Sequence, residues 1–515
     1  MTKNPAKNKE KQLWIVLGVV FVVAAALLRF LMLDNKPIHF DESINMWFVK
    51  RIWEEGFFTY DPTNYHGPLM FYLIHFFQLF TGFDFISTRW AASIFSFLTL
   101  VILWWGPIQQ RTAFRWAALF MLLSPAMGFY GRSGIHEAVF VFFQVLGFLS
   151  FHFLVAKEFK KFWLTFTGGL LGMMALKETF VILILACGPA MLLAWFIQRD
   201  ELSLKAWSRD LKNSFMQKDV STPIVLMILF FFFGLFGGFG AHLKGISDFF
   251  VALAPWLKTG VHGAGHEKEF LHWTKLMGKN EYASLVGFFA GLVFIRKNKW
   301  ILFYTVFALV LWLIYSWIPY KTPWCVISIL WPFSMVAGFA MDELSQKLQG
   351  AKWAAVIALL VAIFVGESVQ MYNILYRDPI DMEHLYVYVN STYQMKEFIA
   401  KTQELIKEQP LLREKPVQIG TEESWPIPIV FSAFYTLDYQ KYANELAPDA
   451  LIYMVDFNDK KVFEDKLKER LKEKVTDYQG FTLDARQGRG HILIYVQKVY
   501  FQNRFSWPLQ EVGTL

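Results

Sequence analysis

The chain has 515 residues, 55% of them hydrophobic and only 18% charged, with a formal net charge of +7. Ordinary soluble domains carry about 25% charged residues; here charge is thinned out by repeated apolar runs, which excludes a soluble enzyme and marks a membrane protein. The basic excess sits in short loops between those runs, so it reads as a topology signal and not as a nucleic-acid surface. Cys187 and Cys325 each lie inside an apolar run, far apart, which argues against a disulfide framework or a cysteine metal site.

A lysine-rich tail (Lys3, Lys7, Lys9, Lys11) precedes the first apolar run, 13–33, and predicts a cytoplasmic N-terminus. At about 20 residues this run can span a bilayer. Asp34 and Pro37 follow it without a small-residue cleavage site, so it is expected to stay as a span. An interfacial helix is expected over 43–55. The next run, 68–80, is only about 13 residues long and carries His75 and Gln78, too short to cross. It is expected to re-enter or lie on the outer face. Further spans are expected at 90–105, 113–129, 138–155, 162–176, 179–197, 221–240, 281–295, 300–317, 324–341 and 353–371, eleven with the first.

Charge tests that count. With 68–80 not crossing, the inner loops hold Arg111 and Arg115; Lys157, Lys160 and Lys161; Arg199 through Lys218; Arg296, Lys297 and Lys299; and Lys347 and Lys352. Every one is basic, as the positive-inside rule requires. Beyond residue 371 the pattern changes: polar helical stretches at 394–408 and 458–473 alternate with β-rich runs at 416–419, 450–455 and 491–496. The expected architecture is an all-α polytopic membrane domain, 1–371, followed by a small soluble α/β domain, 372–515, outside the cytoplasm.

The same parity puts a set of polar residues on the outer side: Asp41 and Glu42, Tyr60-Asp61, Tyr65-His66-Gly67-Pro68, Arg89, Arg132, His136-Glu137, Lys177-Glu178, the 262–269 segment, Asn280-Glu281 and Lys321. Ionisable groups at such depth are costly and usually face a cavity or a partner. Taken one by one, each has a plain structural reading. Asp41 and Glu42 suit the start of a helix, Lys177 and Glu178 an interfacial ion pair, and Arg89 and Arg132 headgroup contacts. His66, His262 and His266 suit ordinary loops. Together, cations and carboxylates on one side suit a site that handles an anionic lipid headgroup and moves a proton.

In order along the chain the residues resemble the GT-C glycosyltransferases, in their protein O-mannosyltransferase and lipid A aminoarabinose-transferase branch. The resemblance lies in the acidic Asp41-Glu42 of the first outer loop, the turn His66-Gly67-Pro68-Leu69 before a short helix, and Arg89-Trp90-Ala91-Ala92-Ser93 opening a span. It continues in Arg132 with Glu137, a glycine-rich span ending at Lys177, and Lys321 before a proline. A narrower group, the flippase-associated membrane proteins of archaeal glycosylation clusters and some bacteria, resembles the chain over nearly its whole length. There the match includes Tyr60-Asp61-Pro62, Tyr65-His66-Gly67-Pro68, Leu176-Lys177-Glu178-Thr179, the stretch Gly263 through Lys268, Lys321-Thr322-Pro323-Trp324 and Trp425-Pro426-Ile427-Pro428. Two departures stand out: aminoarabinose transferases have Lys-Pro-Pro where this chain has His66-Gly67-Pro68, and the second-loop acid is Glu137 where Asp is commoner.

The resemblance implies transfer of a sugar from a polyprenyl-phosphate donor to an extracytoplasmic protein, lipid or glycan acceptor, with inversion. Asp41 would be the general base, and Glu42 or Glu137 would orient the acceptor or a metal. Arg89, Arg132, Lys177 and Lys321 would hold the leaving phosphate, and Tyr65, His66, Glu178, His266 and Trp425 would contact substrate. Trp425, after Glu422 and Glu423, equally suits a buried corner of the outer domain. A divalent metal at Asp41, His66 or His266 is compatible with these residues, though no ligand spacing specifies one. The rival readings are a flippase or transporter component that binds the lipid-linked sugar without breaking a bond, a surface-polysaccharide polymerase or ligase, and a scaffold.

Overall fold

A computed structural model describes residues 5–64, 66–197, 204–262, 265–421, 425–431, 437–439 and 446–514. Apolar segments in a bilayer find no water for their backbone groups and must satisfy them within a helix, and each apolar run folds accordingly. The chain opens with α1 (Pro5–Phe30), α2 (Phe40–Glu55), α3 (Leu69–Thr81), α4 (Ile86–Trp104), α5 (Arg111–Leu123) and α6 (Pro125–Tyr130). Next come α7 (His136–Val155), α8 (Phe159–Met174), α9 (Phe180–Ile197), α10 (Leu204–Phe215), α11 (Lys218–Leu229) and α12 (Lys244–Val251). The series ends with α13 (Leu253–His262), α14 (His272–Asn280), α15 (Tyr282–Leu292), α16 (Lys299–Trp317), α17 (Val326–Lys347) and α18 (Gly350–Tyr372).

Among the described residues, seven helical segments are long and apolar enough to cross a membrane: Gln12–Phe30, Ile86–Trp104, His136–Val155, Lys218–Phe236, Lys299–Trp317, Pro323–Lys347 and Gly350–Arg377. The other apolar runs form shorter pieces. The run expected as one span at 113–129 is two helices, because Pro125 forces Ser124 into an extended conformation (ψ 123°). Ser124 then caps α6 by accepting from the Met127 N–H. The 281–295 run keeps only the 11 helical residues of α15. Helix α3 has 13 residues, about 20 Å against a hydrocarbon core of about 30 Å.

The α17 segment is the hub. In its most apolar window 94% of residues are buried, against 22% for α1 and 17% for α18, which present their surfaces to lipid. Small residues let neighbouring helices reach it. Gly287 and Gly291, four apart on α15, leave no room for a Cβ beside Ala337 and Val336, and Gly338 lies against the Ala113 carbonyl of α5.

The chain divides into two compact units, one of Met1–Leu33 with Phe48–Pro379 and one of Asp34–Trp47 with Ile380–Leu515. In the second unit α19 (Tyr393–Glu408) leads to β1 (Val417–Gly420), α20 (Ile427–Val430), β2 (Leu437–Tyr439) and β3 (Ile452–Asp456). Then follow α21 (Lys460–Leu471), β4 (Tyr478–Arg486), β5 (Arg489–Gln497), α22 (Lys498–Phe501) and β6 (Gln510–Glu511). The sheet order is β2-β1-β3-β5-β4-β6, parallel among the first three strands and antiparallel beyond. Phe463, Leu467 and Leu471 of α21 pack with Tyr453, Leu493 and Tyr495, while Phe398 of α19 meets Phe481 of β4 (ring centroids 5.6 Å apart).

Candidate functional site

Four connections that are distant in sequence meet in the first unit. The turn before α3 lies against the α8–α9 connection: Gly67 N–H donates to the Leu176 carbonyl and Leu69 N–H to that of Ala175, both at 3.0 Å, and His66 bridges Lys177. Gly67 is what permits this, because a Cβ there would stand 2.1 Å from the Ala175 oxygen. The result sets His66 beside Lys177. The ring of His66 also lies 4.7 Å from that of His136, at the start of α7.

Lys177 forms an ion pair with Glu137, forty positions away, and not with Glu178 next to it. Its Nζ is also 4.0 Å from Cys325 Sγ, at the foot of α17. Burial works against the lysine charge, but Cys325 and Glu137 outweigh it and hold Lys177 above the ordinary lysine value. Glu178 makes no ion pair among the described residues, although the neighbouring Lys177 pulls its value down in part. One carboxyl oxygen accepts from the Tyr60 hydroxyl (3.2 Å), and the other, Oε2, is buried without a partner. Desolvation therefore pushes Glu178 up to about 8, so it is mostly protonated at neutral pH. Burial and the neighbouring Lys177 lower His66 to about 4, so its ring is neutral there.

The two arginines meet at the end of α1. Arg89 Nη1 donates to the Leu33 carbonyl (2.6 Å). Arg132 donates to the carbonyls of Leu28 (3.1 Å), Leu31 (2.5 Å) and Met32 (2.9 Å) and to the Tyr376 hydroxyl (3.0 Å). Those carbonyls end a helix and have no partner within it, so Arg132 acts as a C-terminal cap. This duty differs from the phosphate contact expected of it, because both Nη atoms are spent on protein acceptors.

Lys321 is 1% exposed and held by two carbonyls, Lys268 (3.1 Å) and Ile318 (2.6 Å), and burial lowers its value from that of a free lysine. No carboxylate neutralises it among the described residues, so it is a positioned cation without a counter-charge. Its backbone N–H bonds the His266 carbonyl (3.0 Å), and the His266 ring stacks edgewise on Tyr320 (5.0 Å). Thr322, one residue on, contacts Cys325 Sγ (3.4 Å), which links this loop to Lys177.

Asp41 and Glu42 open α2 and belong to the second unit. Their segment is stitched to the region before α19: Phe40 N–H donates to the Val389 carbonyl (3.2 Å), and Ser391 N–H to that of Ile38 (2.9 Å). Glu42 is buried and one of its oxygens accepts from the His39 N–H (3.0 Å), the return half of a capping box. Asp41 N–H in turn donates to His39 Nδ1 (3.1 Å). Trp425 meets Phe40 and Trp47 edge-on, at 6.5 and 6.0 Å, so it packs the corner that carries Asp41.

Tyr65, Gly263, Ala264, Glu422 and Glu423 lie outside the described residues. Among the described residues no three His, Cys, Asp or Glu side chains gather as metal ligands. The polar residues singled out from the sequence do not include Arg29, buried in the first apolar run, or Cys325, beside Lys177. The first had a signal, since an arginine inside a spanning run is unusual; the second had none.

No family model matches the chain, and none of the curated proteins matches it in sequence. Its fold is similar to that of ArnT from Cupriavidus metallidurans. The crystal structure of ArnT bound to undecaprenyl phosphate matches with a TM-score of 0.59 and 11% identity, over 92% of this chain and 97% of that one. The apo crystal structure of the same protein matches with a TM-score of 0.55 and 13% identity, over 94% and 98%. The helical membrane domain followed by a small α/β domain, expected from the sequence, is therefore the architecture found.

Proposed function

We propose that the protein is a membrane glycosyltransferase that moves a sugar from a polyprenyl-phosphate donor to an acceptor outside the cytoplasm. The observation that carries this reading is the meeting of separate loops around Lys177, where Glu137, His66 and the Lys321 loop come together. The undecaprenyl phosphate bound to ArnT, a protein of the same fold, supports the donor class. Motif order favours the flippase-associated group within the superfamily, and the loop charges favour a cytoplasmic N-terminus and an extracytoplasmic second unit.

In this reading Asp41 takes the proton from the acceptor hydroxyl or amine as it attacks the anomeric carbon. The bond from that carbon to the phosphate oxygen breaks, and the electron pair leaves with the polyprenyl phosphate. One displacement inverts the anomeric centre. Arg89, Lys177 and Lys321 stabilise the charge gathering on the phosphate. Glu137 fixes Lys177, Glu42 fixes the first turn that presents Asp41, and Arg132 serves indirectly by capping α1.

The test is transfer from a labelled polyprenyl-phosphate sugar by the full chain in liposomes. General-base catalysis contributes typically about 10²–10⁴-fold. Asp41→Asn should therefore lose that much turnover while binding the lipid as before. Equal turnover in Asp41→Asn, or lipid translocation with no glycosidic bond broken, would replace this reading with the flippase one.

A further inference from the structure

Arg29 sits in the last turn of α1, within an apolar spanning segment, and is 1% exposed. Its Nε donates to Ser96 Oγ (2.8 Å) and its Nη2 reaches the Met121 carbonyl (3.4 Å). Its Nη1 is buried with no partner. Burial weighs most on its charge, and among the described residues no carboxylate offsets that; the charged group that acts on it is another cation, Arg132, beside the Tyr376 hydroxyl.

A charge count shows what is missing. The carbonyl ends of α1 and α5 face these arginines, and a helix C-terminus is worth roughly half a negative charge. Two such ends supply about one unit, part of it shared with Arg89, against the two charges of Arg29 and Arg132. At least about one positive charge is left in a medium where unpaired ions are expensive.

Next to this guanidinium is a cavity lined by Arg29, Ser96, Thr99, Met127, Gly131 and Val141. Its free volume is about 10 Å³, roughly the space one small species needs. Two donors are on hand. Arg29 Nη1 is unpartnered, and Ser96 accepts from Arg29 Nε, so its own hydroxyl proton remains to be given. Thr99 spends its hydroxyl on the Phe95 carbonyl (2.8 Å).

We propose that this cavity binds one monovalent halide, chloride under ordinary conditions, held by Arg29 Nη1 and the Ser96 hydroxyl. A water molecule satisfies the hydrogen bonds but leaves the charge. A carboxylate or phosphate does not fit the space. A halide is only slightly larger than water and supplies the missing negative unit. Its place behind Arg132 makes it a fastener of the α1 terminus on which Arg89 and Arg132 both rest, and it stands apart from the transfer reaction.

Thermal unfolding of the purified full chain in sodium chloride and in sodium gluconate at equal ionic strength tests this. Chloride should raise the midpoint by several degrees, in proportion to the logarithm of its concentration, and Arg29→Gln should remove the difference. Ser96→Ala keeps the cation and should weaken apparent chloride affinity by about tenfold, the worth of one hydrogen bond to an ion. Crystals grown in bromide should show anomalous scattering between Arg29 and Ser96. Identical unfolding of the wild-type chain in the two salts, or a water in place of bromide, would overturn the proposal. Should Arg29→Gln fail to fold, the wild-type comparison and Ser96→Ala still decide it.

Discussion

Lys177 and Glu178 are neighbours in sequence with opposite electrostatic fates, and the difference can be measured. Glu178 in the folded chain keeps its proton up to about 8, whereas the unfolded carboxyl loses it near 4.5. Between those values the folded state binds more protons, so stability falls as pH rises. His66 works the other way: lowered to about 4 from 6.5, it makes stability rise with pH across that interval. The two oppose each other where the windows overlap, so the Glu178 effect should show without the His66 opposition between pH 6.5 and 8. Wild-type melting temperature should drop across that window and Glu178→Gln should lessen the drop; parallel curves would show that Glu178 is ionised. Residue types and order single these positions out, but not which partner each takes. Lys177 chooses Glu137 over the adjacent acid, and Arg132 spends its donors on the end of α1, because those choices are made by loops that meet only in three dimensions.

Helices and turns carry their own tests. Replacing Gly67 with Ala places a Cβ 2.1 Å from a backbone oxygen, so the turn must part from the Ala175–Lys177 connection. Overpacking of this kind costs about 1–3 kcal/mol. The site should suffer more than the fold, with lipid-phosphate binding lost at a melting temperature lowered by only a few degrees; unchanged binding would separate this turn from the site. Gly338→Val, where α17 meets the Ala113 carbonyl of α5, should do the reverse and lower stability by a similar ~1–3 kcal/mol through the bundle itself. The apolar runs announced their helices because lipid leaves the backbone no other option. The break at Ser124-Pro125 was concealed by an unbroken apolar run, although a proline after a serine is a helix start in its own right. Strand β4 was hidden for another reason: Gly480, buried beside Phe481, interrupts its alternation, and its pairing with β5 supplies what its own sequence lacks.

Over the whole molecule, the grouping of Asp34–Trp47 with the C-terminal sheet domain had no sequence signal, since the backbone contacts involved join positions some 350 residues apart. The loop charges did speak to orientation. Thr482→Cys, exposed on β4, should react with an impermeant maleimide in intact spheroplasts, and Lys157→Cys only after permeabilisation. The opposite pattern would invert the topology and move the polar loops to the cytoplasmic side. The central claim is that this fold holds a polyprenyl-phosphate lipid with the cations of Arg89, Lys177 and Lys321, and native mass spectrometry of the protein taken from its own membranes reads it directly. The account predicts an adduct with the mass of a polyprenyl phosphate or its sugar ester, lost in the combined Arg89→Ala, Lys321→Ala variant. Ordinary phospholipids alone, or an adduct indifferent to that double change, would contradict it.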